Sequence, residues 1–161
     1  MKSLYEKFDF KMILNQIPKW TWMELYFAIK KCIINYNDIV YYAKYSINEN
    51  SNELVYQLCL LEEHEELNYI LKKLSELESE EVEYIKNKWL YAILLYFYRN
   101  RNNYTDPLSI VENVYVDFDY PEAISHLIRY MPIDNDSEYG DRAIYNKWSD
   151  YIINNSEEYI K

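Results

Sequence analysis

The chain contains a single glycine, Gly140, among its 161 residues. Phosphate-binding turns of the P-loop and dinucleotide-binding kinds need several glycines, because only glycine lets the backbone approach the phosphates closely. The sequence therefore excludes nucleotide sites of these two classes. Half of the residues are hydrophobic. That share is enough to bury a core, so a wholly disordered chain is excluded as well.

Helix start signals recur along the sequence. Thr21-Trp22-Met23-Glu24 is typical of a capping box, and Asn37 and Ser79 are the predicted N-caps of two later helices. Pro107 is predicted to open a helix at its first position. A further helix is predicted to begin at Tyr120-Pro121 and to end at Pro132.

The spacing of apolar residues is helical almost everywhere, and no segment alternates convincingly with a period of two. Residues 89–98 are apolar all round, but they are about half as long as a membrane span and are expected to be buried. We predict an all-α fold, with residues 1–161 forming a single domain of about eight helices in antiparallel pairs. Residues 1–16 are a candidate mobile N-terminal segment.

The two cysteines, Cys32 and Cys59, are too few for a disulfide framework. Each lies among apolar residues at helical spacing, so both are predicted to be buried free thiols. Residues 1–10 mix charged and apolar side chains and contain no unbroken apolar run, so no secretory signal is predicted. We expect a cytoplasmic protein.

The chain carries a formal net charge of -10. Phosphate neutralisation supplies most of the affinity of proteins for nucleic acids, so this charge argues against a nucleic-acid partner. It also disfavours an anionic membrane surface. A basic protein partner is favoured, because acidic surfaces attract and orient basic ones. The alternative is that the charge serves solubility alone.

Seven of the ten net negative charges lie between Glu62 and Glu83, where nine glutamates are accompanied by only two basic residues, Lys72 and Lys73. This segment is predicted to bind the partner, with nearby tyrosines as anchors. The alternative is a solvated helix surface with glutamates at a positive helix start. The predicted partner-binding residues are nine glutamates: Glu62, Glu63, Glu65, Glu66, Glu76, Glu78, Glu80, Glu81 and Glu83.

Neither histidine lies in a pattern that indicates catalysis or metal binding. His64 lacks a second ligand at helical spacing, so it is predicted to be an exposed surface residue. His126 follows Glu122 by four residues, which suits a surface ion pair. We therefore predict no catalytic, cofactor-binding or metal-binding residues and no enzymatic activity. A pocket in which His126 meets a cysteine or a carboxylate would instead indicate a hydrolase with a dispersed site.

Several longer motifs carry a resemblance to a known family from Ile17 to Trp148. Ile17-Pro18 and residues 21–27 lie near the start, and Lys88-Trp89 and Tyr98-Arg99-Asn100 lie in the middle. The most specific stretches are Tyr104-Thr105-Asp106-Pro107, residues 115–122 and residues 128–132, followed by a closing Lys147-Trp148. With these motifs the chain resembles a family of small, acidic, helical bacterial proteins of unknown function.

Members of this family look like immunity proteins of polymorphic or contact-dependent toxin systems. The resemblance implies a cytoplasmic protein without enzymatic activity that binds and neutralises one cognate toxin domain, and many such toxins are nucleases with basic clefts. The alternative hypothesis is a helical scaffold or adaptor protein without a toxin partner.

Overall fold

A computed structural model describes residues 4–130 and 140–160. Within these two ranges every regular element is helical, which confirms the predicted all-α fold. The predicted helix stop at Pro132 and the C-terminal end of the family motif at residues 131–132 lie outside the described residues. The chain separates into two compact units, unit 1 (residues 1–85) and unit 2 (residues 86–161). The single domain predicted for residues 1–161 stays a prediction.

Unit 1 is built mainly from five helices. They are α1 (Phe10–Leu14), α2 (Trp22–Lys30), α3 (Tyr36–Ser46), α4 (Glu53–Leu60) and α5 (His64–Glu76). Helix α2 packs against α5, and α4 packs against both α3 and α5. Within the predicted mobile segment 1–16, the side chains of Tyr5, Phe8, Phe10 and Ile13 are buried. The mobility of that segment stays a prediction.

Unit 2 begins within helix α6 (Val82–Arg99). It continues through a 3₁₀ turn (Arg101–Asn103), α7 (Pro107–Asp117), a second 3₁₀ helix (Glu122–Leu127), α8 (Asp141–Asn154) and α9 (Ser156–Tyr159). Residues 89–97 of α6 are all buried, as their uniform apolarity predicted. The indole N–H of Trp148 donates to the carbonyl of Leu94 (3.1 Å), which ties α8 to α6.

Some predicted helix starts are confirmed and others are wrong. Thr21 forms the predicted capping box with Glu24, and Pro107 opens α7. The N-cap of α3 is Asn35 rather than Asn37, because Asn35 pairs reciprocally with Asp38 three residues on. The segment after Pro121 forms a 3₁₀ helix rather than an α-helix. The four-residue spacing between Glu122 and His126 therefore does not place them on one helical face, so the basis of their predicted ion pair is lost.

The predicted burial of the two cysteines is wrong. Cys32 is exposed and Cys59 is partly exposed, and both are free. Helix α2 ends at Lys30, so Cys32 lies beyond the helix face that the apolar spacing assigned to it. It adopts φ = 61°. The N–H of Cys32 donates to Ile29 and that of Ile33 to Ala28, which is the Schellman arrangement that usually has glycine in the left-handed position.

The same cap follows α7. The N–H of Asp119 donates to Val116 and that of Tyr120 to Tyr115, and Asp119 adopts φ = 61°. The rings of Tyr115 and Tyr120 meet edge to face, with centroids 5.4 Å apart. Asp119 and Tyr120 belong to one of the family-specific stretches. That stretch therefore forms a helix stop in which hydrogen bonds and a ring contact hold residues other than glycine in a left-handed conformation.

Arg129 joins two other family-specific stretches. Its guanidinium donates to both carboxylate oxygens of Asp106 (3.2 and 3.0 Å) and to both of Glu112 (2.7 and 3.3 Å). These two carboxylates raise the pKa of Arg129, chiefly through the hydrogen bonds from Glu112 and Asp106. The likeness around residues 104–107 and 128–132 thus includes an ion-pair network that fixes the end of the 3₁₀ helix to the start of α7.

We predict that Arg129→Lys lowers the free energy of unfolding by about 1 kcal/mol, because an ammonium group cannot make two planar bidentate pairs. Chemical denaturation with urea measures the change. Arg142→Lys, at an exposed position on α8, is the control and should have no measurable effect. Equal stability of the Arg129 variant and the wild type would contradict a structural role for this network.

We also predict that Cys32→Gly raises the free energy of unfolding by about 0.5–1 kcal/mol, because glycine relieves the left-handed strain at a small cost in backbone entropy. Thermal unfolding measures the change. The control is Cys59→Gly within α4, which should lower the stability by a similar amount. A loss of stability in the Cys32 variant would show that the cysteine side chain matters more than its backbone conformation.

Candidate partner-binding surface

The nine predicted glutamates do not form one continuous patch. Seven are exposed, whereas Glu78 and Glu80 are half-buried. Glu62, Glu63, Glu65 and Glu66 lie at the start of α5, and Glu76 is its last residue. At 1.5 Å per residue, Glu66 in the first turn of α5 and Glu76 at its end lie about 15 Å apart. This separation exceeds the Debye length at physiological salt. The two groups therefore act separately on an approaching charge.

Glu78 belongs to the structure of helix α2. One of its carboxylate oxygens accepts the backbone N–H of Met23 (2.7 Å), and the carboxylate also accepts the N–H of Trp22. Burial raises the pKa of Glu78 from its ordinary value of 4.5, an effect that these two hydrogen bonds oppose and the nearby charge of Glu80 reinforces. Two N–H groups at the start of α2 are thus satisfied by a residue 55 positions away in the sequence.

The capping box satisfies the other N–H groups at this helix start. The buried Glu24 carboxylate accepts the N–H of Thr21 (3.0 Å), and the Thr21 hydroxyl oxygen accepts the N–H of Glu24 (3.1 Å). The Thr21 hydroxyl also donates to Glu80. Carboxylates already hold the positive end of α2, so Glu78 and Glu80 serve the fold first. The alternative interpretation had placed glutamates at the start of their own helix and did not predict this contact with α2.

The remaining charge at the start of α5 borders an apolar groove of about 530 Å³. Leu60, at the end of α4, is 82% exposed, and Tyr69, on α5, is 59% exposed. The ammonium group of Lys73 lies 4.5 Å from the centre of the Tyr69 ring. The groove between α4 and α5 is lined by Leu54, Gln57, Leu61, Glu65, Glu66, Tyr69, Ile70 and Lys73.

We call this groove, together with exposed Leu60, Glu62 and Glu63, the α4–α5 surface. Exposed leucine and tyrosine side chains offer burial energy to a partner, and the carboxylates offer attraction to a basic one. Part of this negative charge also has a local explanation, because Glu65 and Glu66 occupy the first turn of α5. The sequence pointed to the charge of this surface but missed the exposed leucine, since apolar spacing alone does not show which residues a neighbouring helix leaves uncovered.

The two histidines lie in different surroundings. His64 is exposed, as predicted, and its ring stacks on Tyr36 with centroids 4.6 Å apart. His126 lines a pocket of about 290 Å³ in unit 2 together with Lys147 and Asp150. Partial burial lowers the pKa of His126, and the charge of Lys147 lowers it further. Both effects favour the neutral form of the imidazole, and the lining of the same pocket includes the carboxylate of Asp150.

Within residues 4–130 and 140–160, no group of three or more histidine, cysteine, aspartate or glutamate side chains is arranged to hold a metal ion. None of the helices in these ranges combines the length and apolarity needed to cross a membrane.

We predict that Glu78→Ala lowers the free energy of unfolding by about 1–2 kcal/mol, because two N–H groups at the start of α2 lose their acceptor. Glu78→Gln keeps an acceptor oxygen and should leave the stability at pH 7 unchanged or slightly higher. Glu76→Ala, at the exposed end of α5, is the control. Urea denaturation at several pH values measures all three variants.

The pH dependence follows from the raised pKa of Glu78. The folded chain holds this proton more tightly than the unfolded chain does, so the contribution of the group to stability is full below pH 4.5 and falls as the pH rises through the folded pKa. Glu78→Gln should remove this component. A glutamine variant as unstable as the alanine variant would show that α2 needs the charge rather than an acceptor.

Comparison with known proteins identifies a family but no individual related protein. No curated protein and no solved structure matches the chain. Residues 10–156 match a family described as "Uncharacterized protein conserved in bacteria (DUF2247)". This match spans all of the motifs that carry the resemblance and includes residues of both units. The chain therefore belongs to this conserved bacterial family.

Proposed function

We propose that the chain is an immunity-type protein, without enzymatic activity, that binds and neutralises a cognate bacterial toxin domain in the cytoplasm. The observation that carries this proposal is the α4–α5 surface, where exposed apolar side chains and four exposed glutamates lie together. The resemblance of the family motifs to immunity proteins supports the same function.

The chemistry of this surface suits a basic protein partner. Leu60 and Tyr69 supply apolar area that a partner would remove from water. Glu62, Glu63, Glu65 and Glu66 supply a negative field that speeds association with a basic domain. A nuclease toxin has a positively charged substrate cleft. An acidic protein that occupies such a cleft excludes the nucleic acid, so no catalysis by this chain is needed.

Co-expression tests this function. The toxin domain encoded next to this gene is expressed with and without the chain, and growth and co-purification are scored. We expect growth only when the chain is present, together with a stable complex. Cell death at the same rate in both cultures would contradict the proposal and leave the scaffold or adaptor hypothesis.

A hydrolase is the second candidate, because His126 and Asp150 line one pocket. A neutral imidazole in a pocket is suited to general base catalysis. This candidate predicts turnover of a small ester or amide by the purified chain and loss of that turnover in His126→Ala. Turnover with this dependence would overturn a purely binding function.

We predict that Glu65→Lys/Glu66→Lys slows association with the toxin domain by about tenfold at low salt and weakens the salt dependence of the association rate. Stopped-flow fluorescence measures the rate. The fold should persist, because both side chains are exposed.

The matched control is Glu157→Lys/Glu158→Lys. These residues are an adjacent, exposed pair in the first turn of α9, and the substitution changes the net charge equally. Equal slowing in both double variants would assign the effect to net charge and remove the α4–α5 surface from the proposal. Reversal at Glu80 is less informative, because its bond to Thr21 would be broken as well.

A further inference from the structure

A second cavity in unit 1 has aromatic walls and one charged group. It has a volume of about 360 Å³ and lies beside the start of α2. Trp20, Trp22 and Tyr42 form its aromatic side, Val55 and Leu74 its aliphatic side, and Glu78 supplies the only charge among its lining residues. We call it the aromatic pocket.

The aromatic groups are rigidly held, and two of them have little hydrogen-bonding capacity left for a ligand. The Tyr42 hydroxyl donates to the carbonyl of Trp20 (2.8 Å) and accepts the N–H of the same residue (2.9 Å). The indole N–H of Trp20 donates to Ile17 (2.8 Å). The rings of Trp22 and Tyr42 meet edge to face, with centroids 5.5 Å apart. Trp20 and Tyr42 are only 6% and 5% exposed, so the half-buried Trp22 is the more accessible of the three rings.

The charge of the pocket selects its ligand. The π face of an aromatic ring attracts a cation, most strongly where water is excluded. Glu78 is half-buried, and its carboxylate is bound to backbone N–H groups without a neutralising cation among the lining residues. A cation that entered the pocket would gain from the rings and from the carboxylate together. An anion would be repelled, and a neutral polar group would meet only the uncharged side chains of Ser46, Ser51 and Asn52.

We propose that the aromatic pocket receives a cationic side chain, arginine or lysine, of the protein partner. This inference rests on the proposed function only for the source of the cation, since binding of a cation by the isolated chain does not depend on it. Residues of α5 line both the aromatic pocket and the α4–α5 surface. A basic partner that covers α5 would therefore contact an apolar groove and a pocket that can accept one of its cationic side chains.

A bound cation would also change the pKa of Glu78. Burial keeps its pKa above the ordinary value in the unbound chain. A cation within contact distance favours the ionised carboxylate and would lower that pKa again. Binding should therefore weaken as the pH falls and Glu78 takes up a proton.

The experiment uses the full chain and a small probe. N-acetyl-arginine amide is titrated into the ¹⁵N-labelled protein, and the four indole N–H signals are followed by NMR. N-acetyl-citrulline amide has nearly the same shape without the charge, and N-acetyl-lysine amide tests the alternative cation. We expect saturable shifts of the Trp20 and Trp22 signals with the arginine or lysine probe, binding at least tenfold weaker with citrulline, and no shift for Trp89 or Trp148.

Two variants and one control locate the site. Glu78→Gln keeps an acceptor for α2 and should weaken arginine binding about tenfold. Leu77→Trp, at a lining position that is 67% exposed, should obstruct the pocket without a change in charge. Glu76→Gln removes the same charge two residues earlier and should bind normally. The indole spectrum without probe verifies that each variant is folded.

Two outcomes would overturn the inference. Equal binding of arginine and citrulline would show that charge is not recognised, and unchanged binding by Glu78→Gln would show that the carboxylate is not involved. Either result would leave growth rescue by co-expression unaffected. Cation binding without growth rescue would instead support the aromatic pocket as a cation site and contradict the toxin partner. The failure of this inference and the failure of the proposed function are therefore distinguishable.

Discussion

The start of helix α2 depends on a carboxylate from the segment that follows α5. Glu78 accepts the N–H groups of Met23 and Trp22, while the capping box of Thr21 and Glu24 satisfies the two others. An uncapped and partly buried helix start would leave backbone donors without acceptors, at a cost of about 1–3 kcal/mol each. These bonds fix α2 against the segment that follows α5, and with it Trp20 and Trp22 beside Tyr42. The geometry of the aromatic pocket in unit 1 therefore depends on this contact.

Local signals in the sequence predicted the elements whose causes are local. The capping box at Thr21, the proline at the first position of α7 and the apolar stripe of α5 each act within a few residues, and the structure confirms them. Elements that depend on distant or strained contacts were missed. The bond from Met23 to Glu78 spans 55 positions, and no spacing rule shows that Cys32 takes the left-handed position that glycine usually fills. The acidic segment was visible in the sequence. Only the three-dimensional packing shows which of its carboxylates hydrogen-bond to α2 and which are exposed.

The glutamates of the acidic segment therefore fall into two groups with different surroundings. Glu78 and Glu80 satisfy groups at the start of α2, whereas the glutamates at the start of α5 remain exposed beside an apolar groove. Charge alone would steer many basic proteins towards this chain. In the proposed function, selectivity for one partner needs apolar contacts of a defined shape, which the groove between α4 and α5 would supply. Such a binding role would depend on rigid helices rather than on reactive side chains.

Hydrogen–deuterium exchange of the chain, alone and with the proposed toxin partner, tests the proposed binding surface most directly. We predict slower exchange on complex formation in α4 and α5 and in the segment around Trp20 and Trp22, with α7 and α8 unchanged. Protection confined to residues 86–130 and 140–160, or no protection at any residue in the presence of an active toxin domain, would contradict the assignment of partner binding to unit 1.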